Sequence, residues 1–253
     1  MNRTSTVKER GIYLLPSLFT TGGLFAGFYA LIAAVQGRFE LAAWALIAAA
    51  IFDMLDGRVA RLLHAESDFG AQYDSLCDML SFGIAPAVLV YLWALVPLHK
   101  AGWLAAFLVA ACAALRLASF NVQLDTQSKR YFNGLPTPAA AMLIATAVLF
   151  HEDNGMGPVP WLWFGIAVTL AWLMVSRVPF FAGKDVDLKK RHPAIILLGM
   201  LVLIVFIMAD PPMNLFVLAL AYCIHGPMLG IREWIRNKHS GSDEVQNGGA
   251  KTD

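Results

Sequence analysis

With 253 residues, 58% of them hydrophobic, and a mean hydropathy of +0.60, the chain is too apolar for an ordinary soluble domain. Its net charge of +1 excludes a surface that binds polyanions by bulk charge, and no nucleic-acid partner is expected. The three cysteines, Cys77, Cys112 and Cys223, lie inside apolar runs without metal or disulfide spacing and read as buried thiols.

Apolar segments of membrane-spanning length, about 20 residues, predict an all-α, polytopic membrane protein with about eight transmembrane helices. They cover residues 12–35, 41–63, 73–96, 103–120, 136–150, 159–178, 194–209 and 213–234. The first is too long for a signal peptide and has no small-residue cleavage site, so it reads as a retained helix. Residues 1–11 carry too brief a pattern to assign an interfacial helix. Gly23-x-x-x-Gly27 in the first segment is a spacing that lets another helix approach closely. Trp93, Trp103 and Trp161 fall near segment ends, as interfacial belts do. With the N-terminus in the cytoplasm, 17 of the 19 Lys and Arg residues fall on the cytoplasmic side and only Arg38 and Lys100 fall opposite. A membrane domain over residues 1–239 and a polar, disordered cytoplasmic tail over 240–253 are expected.

Segments two and three carry the informative residues. Asp53 and Asp56 are spaced i, i+3, and Asp74 and Asp78 are spaced i, i+4, so on helices each pair shares a face. The charge asymmetry puts all four at the cytoplasmic ends of their segments. Acids in a membrane segment are costly, roughly 2.5–3.5 kcal/mol each at the bilayer centre. Four that face one another imply a bound cation, and oxygen ligands suit Mg²⁺ or Mn²⁺. Two ions there would form a two-metal site for displacement at phosphorus. Gly57 and Gly70 would let a bulky ligand approach the backbone, and Arg61 would pair with phosphate. His64 reads as a solvated turn residue, and His151-Glu152-Asp153 as a loop on the opposite face.

The string D-x2-D-G-x2-A-R-x8-G-x3-D-x3-D, unbroken from Asp53 to Asp78, resembles the motif of the CDP-alcohol phosphatidyltransferase family. The resemblance implies an integral membrane enzyme with a six-helix core, usually a homodimer. Such enzymes move a phosphatidyl group from CDP-diacylglycerol to an alcohol and release CMP. It implies that Asp53, Asp56 and Asp74 bind metal, and that Asp78 joins a second metal and acts as general base. Gly57, Ala60, Arg61 and Gly70 then line the cytidine diphosphate site, with Thr20 as a further candidate from the first helix. Ser17 and Gly23 stand where many relatives carry Asn.

Other stretches are similar to the phosphatidylserine synthase branch: residues 81–86 (SFGIAP), Arg116-Leu117-Ala118 with Phe120-Asn121, and residues 132–138 (FNGLPTP). Serine as acceptor would bring a carboxylate, for which Arg116 is the candidate partner, and an ammonium, for which Asn121 is. The same chemistry with glycerol 3-phosphate or an inositol phosphate stays open, as does a covalent intermediate in place of direct displacement. A cation transporter is the alternative of another class, and it predicts acids spread through the membrane depth. The bacterial look of the resemblance implies the inner membrane, with the site facing the cytoplasm.

Overall fold

The computed structural model describes residues 3–63, 67–123, 131–176, 178–181 and 193–248. Among the described residues there are eight helical segments, where eight were expected. The first two, α1 (Arg3–Val35) and α2 (Phe39–Leu62), form an antiparallel hairpin. Alanines make this contact close: Ala30, Ala33 and Ala34 are buried against Ala42, Ala43 and Ala45. Residues 3–11 belong to α1, which runs unbroken from Arg3 through Pro16.

The third segment is not one uniform helix. It starts as α3 (Asp68–Asp78), widens into a π-helical stretch over Met79–Ile84, and returns to α-helix in α4 (Ala85–Val90). A second π stretch (Tyr91–Leu95) and a 3₁₀ turn (Val96–Leu98) end it. Ser67 caps α3, its hydroxyl accepting from the Gly70 N–H at 3.0 Å. The π stretch begins at the residue after Asp78, where α5 (Lys100–Gln123), α1 and the third segment meet.

The central helix is α6 (Thr137–Asp153), whose residues from Leu143 to Leu149 are all buried. Packed around it or beside α5 are α7 (Pro160–Val175) and α9 (Pro211–Gly248). By contrast α8 (Pro193–Ala209) packs on α9, and Leu197 through Val205, Gly199 aside, present apolar side chains outward. A helix apolar all round belongs in lipid. Length and hydropathy suit Pro16–Val35, Asp68–Leu98, Lys100–Val122 and Pro211–Leu229 for membrane crossing, and Pro160–Val175 and Leu197–Ala209 are shorter apolar helices. The chain is a polytopic helical membrane protein.

The fold is all-α as expected, with one short ribbon: β1 (Tyr131–Asn133) and β2 (Pro179–Phe181) pair antiparallel, Phe132 opposite Phe180. Backbone bonds carry this link onward, from Gly134 N–H to Val178 C=O and from Leu135 N–H to Leu173 C=O, both 2.9 Å. Gly134 adopts φ +84°, and a Cβ there would meet the Met174 carbonyl, so no other residue fits. Residues 240–248 lie within α9. Two expectations need correction. His151-Glu152-Asp153 is the last turn of α6, not a loop. Trp93 is buried, its ring 4.9 Å from Trp163 and 5.2 Å from His151, so it is core and not interfacial belt. Trp103 and Trp161 are exposed as expected, and all three cysteines are buried.

Candidate active site

Asp53 and Asp56 occupy the C-terminal half of α2, and Asp74 and Asp78 occupy α3. One carboxylate oxygen from each of Asp53, Asp56 and Asp74 lies within 4.8 Å of the other two. Asp78 completes the group, its side chain meeting that of Asp53. At such separations each pair of charges repels by roughly 3 kcal/mol at an effective dielectric near 20. The cluster borders a small cavity whose other walls are Thr20, Gly23 and Leu24 of α1, Ala49 of α2, Cys77, and Ser81 and Phe82 of the π stretch.

Within this group Asp56 is buried, and its Oδ2 has no hydrogen-bond donor. A buried, unpaired carboxylate oxygen is expensive unless something positive meets it. Thr20 stands next to Asp56, yet its hydroxyl also reaches the Pro16 carbonyl at 3.1 Å. Its single proton serves one acceptor at a time.

The glycines and Arg61 lie at the rim. Arg61 Nε donates to the Gly57 carbonyl at 2.9 Å, which folds the exposed side chain back along α2. A Cβ on Gly57 would meet only the Arg61 guanidinium, at 3.9 Å. Protein packing therefore does not require glycine at this position. Ala60 is half-buried on the same helix, and Gly70 sits in the capped first turn of α3. His64 lies outside the described residues.

The two acceptor candidates do not converge. Arg116 is turned into the protein: its Nε is buried without a hydrogen-bond partner, and it lies within electrostatic reach of Tyr222 and Asp78. Asn121 points instead at α3, where its Nδ2 donates to Ser75 Oγ at 3.0 Å and Ser75 Oγ reaches its Oδ1 at 3.1 Å. Five residues advance a helix by about 500°, so the two side chains stand about 140° apart.

Sequence reasoning missed Tyr222. It comes from α9, near Arg116, with its ring 6.0 Å from that of Phe180. No local spacing signals a contact made across a hundred residues. Ser81 was visible only as part of a resembling stretch; its hydroxyl donates to the Gly23 carbonyl of α1 at 3.2 Å.

The family described as CDP-alcohol phosphatidyltransferase matches residues 13–176. The CDP-diacylglycerol–serine O-phosphatidyltransferase of Helicobacter pylori (strain J99) is 37% identical over 171 residues, covering 67% of this chain and 72% of that protein. The protein of that name from Mycobacterium leprae is 34% identical over 233 residues, 89% of this chain and 77% of its own. The one from Bacillus subtilis is 34% identical over 167 residues, 66% and 89% respectively. The matched stretch begins in α1 and ends just past α7, so it includes both aspartate helices and Arg116. This chain belongs to the CDP-alcohol phosphatidyltransferase family.

Proposed function

We propose that the protein transfers the phosphatidyl group of CDP-diacylglycerol to the hydroxyl of L-serine, giving phosphatidylserine and CMP. The convergence of four aspartates beside the inward-facing Arg116 carries this reading, and the names of the relatives support it. An all-carboxylate donor set with an orphaned buried oxygen on Asp56 fits Mg²⁺ or Mn²⁺. Asp53, Asp56 and Asp74 would hold one ion and Asp78 would join a second. Bound there, the ions supply charge neutralisation at the pyrophosphate.

The chain's own groups do the rest. Asp78 takes the proton of the serine hydroxyl. The freed oxygen forms a bond to the phosphorus that carries diacylglycerol, and the bond from that phosphorus to the bridging oxygen breaks. CMP leaves with the electron pair. Arg61, at the rim, meets phosphate charge, and Thr20, Gly57, Ala60 and Gly70 border the nucleotide. Arg116 pairs with the serine carboxylate. The site faces the cytoplasm in a bacterial inner membrane, and the enzyme works as a homodimer.

Purified protein in detergent with CDP-diacylglycerol, Mg²⁺ or Mn²⁺ and labelled serine should release CMP and label the lipid. Glycerol 3-phosphate and inositol phosphate should support neither. Faster transfer to either phosphorylated acceptor would overturn the serine assignment. Absence of CMP release with every acceptor would overturn the transferase reading and leave ion transport.

Gly57→Ala offers a second test. Since a Cβ fits there, and alanine in a helix is favoured over glycine by about 1 kcal/mol, the variant should unfold at the same or a higher temperature. Turnover should nevertheless fall at least about tenfold, because the methyl group occupies space meant for the ligand. Full activity would show that Gly57 borders no substrate.

A further inference from the structure

Asp74 lies between two residues that tie its helix to different neighbours. On one side Tyr73 OH and Thr21 Oγ1 of α1 are 3.0 Å apart. Thr21 already donates its proton to the Ser17 carbonyl at 2.6 Å, so in this pair Tyr73 is the donor. On the other side Ser75 bonds the Asn121 carboxamide of α5 at 3.0–3.1 Å. Residues 73 and 75 are about 200° apart around the helix axis, with Asp74 midway. The two bonds therefore pull on opposite flanks of α3.

This matters because α3 is short, 11 residues, and gives way at Asp78 to a π stretch. Roll about its own axis would swing Asp74 and Asp78 together, since they share a face. A single tether permits such roll, and two on opposed flanks do not. We propose that Tyr73–Thr21 and Ser75–Asn121 form a two-point clamp that fixes the roll of α3 and so presents Asp74 and Asp78 to their cations. The four are positioning residues, and Asn121 acts through Ser75, not on the acceptor. The inference rests on the reading that these aspartates hold divalent cations.

Mn²⁺ binding to the full chain in detergent, followed by electron paramagnetic resonance without substrate, tests it. A typical hydrogen bond corresponds to about two- to tenfold in affinity. Ser75→Ala and Asn121→Ala should each weaken Mn²⁺ binding by that factor, and the double variant should be no weaker than either, because one bond is lost in all three. Tyr73→Phe should weaken binding by the same factor, and combining it with Ser75→Ala should weaken it no further, because loss of either tether already frees the roll. Ser75→Thr, which keeps the hydroxyl, should bind as the original chain does. Thr146→Val, which removes a side-chain bond inside α6, should leave Mn²⁺ binding unchanged. Unchanged binding in the clamp variants, or equal weakening in Thr146→Val, overturns the clamp while the metal site stands. So does a rise in KM for serine in Asn121→Ala that Ser75→Ala does not share. Failure of the original chain to bind Mn²⁺ defeats the metal reading itself, and the clamp with it.

Discussion

Asp78→Asn is expected to lower CMP release by at least about a thousandfold while CDP-diacylglycerol still binds. Asparagine keeps the shape of the side chain and removes both its charge and its ability to take a proton. The three carboxylates that gather within 4.8 Å are left intact, so the ion proposed to bind them would keep its ligands. The loss should therefore appear in kcat and not in the affinity for the lipid substrate. Single-turnover CMP release, paired with a binding titration of CDP-diacylglycerol, separates the two. Near-normal turnover would remove Asp78 from the role of base. Loss of lipid binding along with turnover would assign it to substrate binding instead.

How far this site could be read in advance differs from residue to residue. The four aspartates were legible because helical spacing is a local property, and i, i+3 and i, i+4 pairs share a face wherever the helix forms. The segment ends were legible because hydropathy follows the bilayer. All eight predicted starts lie within five residues of the observed helix starts except the first, which begins nine residues early at Arg3. Trp93 departs from that pattern for a related reason: it lies near a segment end, but His151 and Trp163 cover its ring.

The π stretch after Asp78 had no sequence signal, because residues 79–84 are compatible with an ordinary helix. The Arg116–Tyr222 neighbourhood lay beyond local pattern altogether. The divergence of Arg116 and Asn121 was different. Their spacing of five already contains it, and helical geometry alone argues that they do not share a face. The proposed serine site thus keeps Arg116 alone, and Asn121 belongs to the proposed clamp through Ser75.

The Gly23-x-x-x-Gly27 spacing yields the second large effect, and it is asymmetric. A Cβ on Gly27 would lie 2.7 Å from both the Cα and the Cβ of Ser81. Backbone atoms of a packed helix cannot swing aside, so α1 and the π stretch would have to separate. Separation would break the bond from Ser81 to the Gly23 carbonyl, and it would disturb the helix three residues past Asp78. Gly27→Ala should then cost about 1–3 kcal/mol through overpacking, seen as a clear fall in the thermal unfolding midpoint in detergent, together with most of the activity. Gly23→Ala should not: its Cβ would stand 3.5 Å from Phe52 Cβ, an ordinary contact. A generic stripe of small residues predicts equal penalties at both positions. The observed packing predicts that only Gly27 is intolerant, because only there does another helix's backbone fill the place of a side chain. Equal unfolding midpoints for the two variants would return the motif to the generic reading.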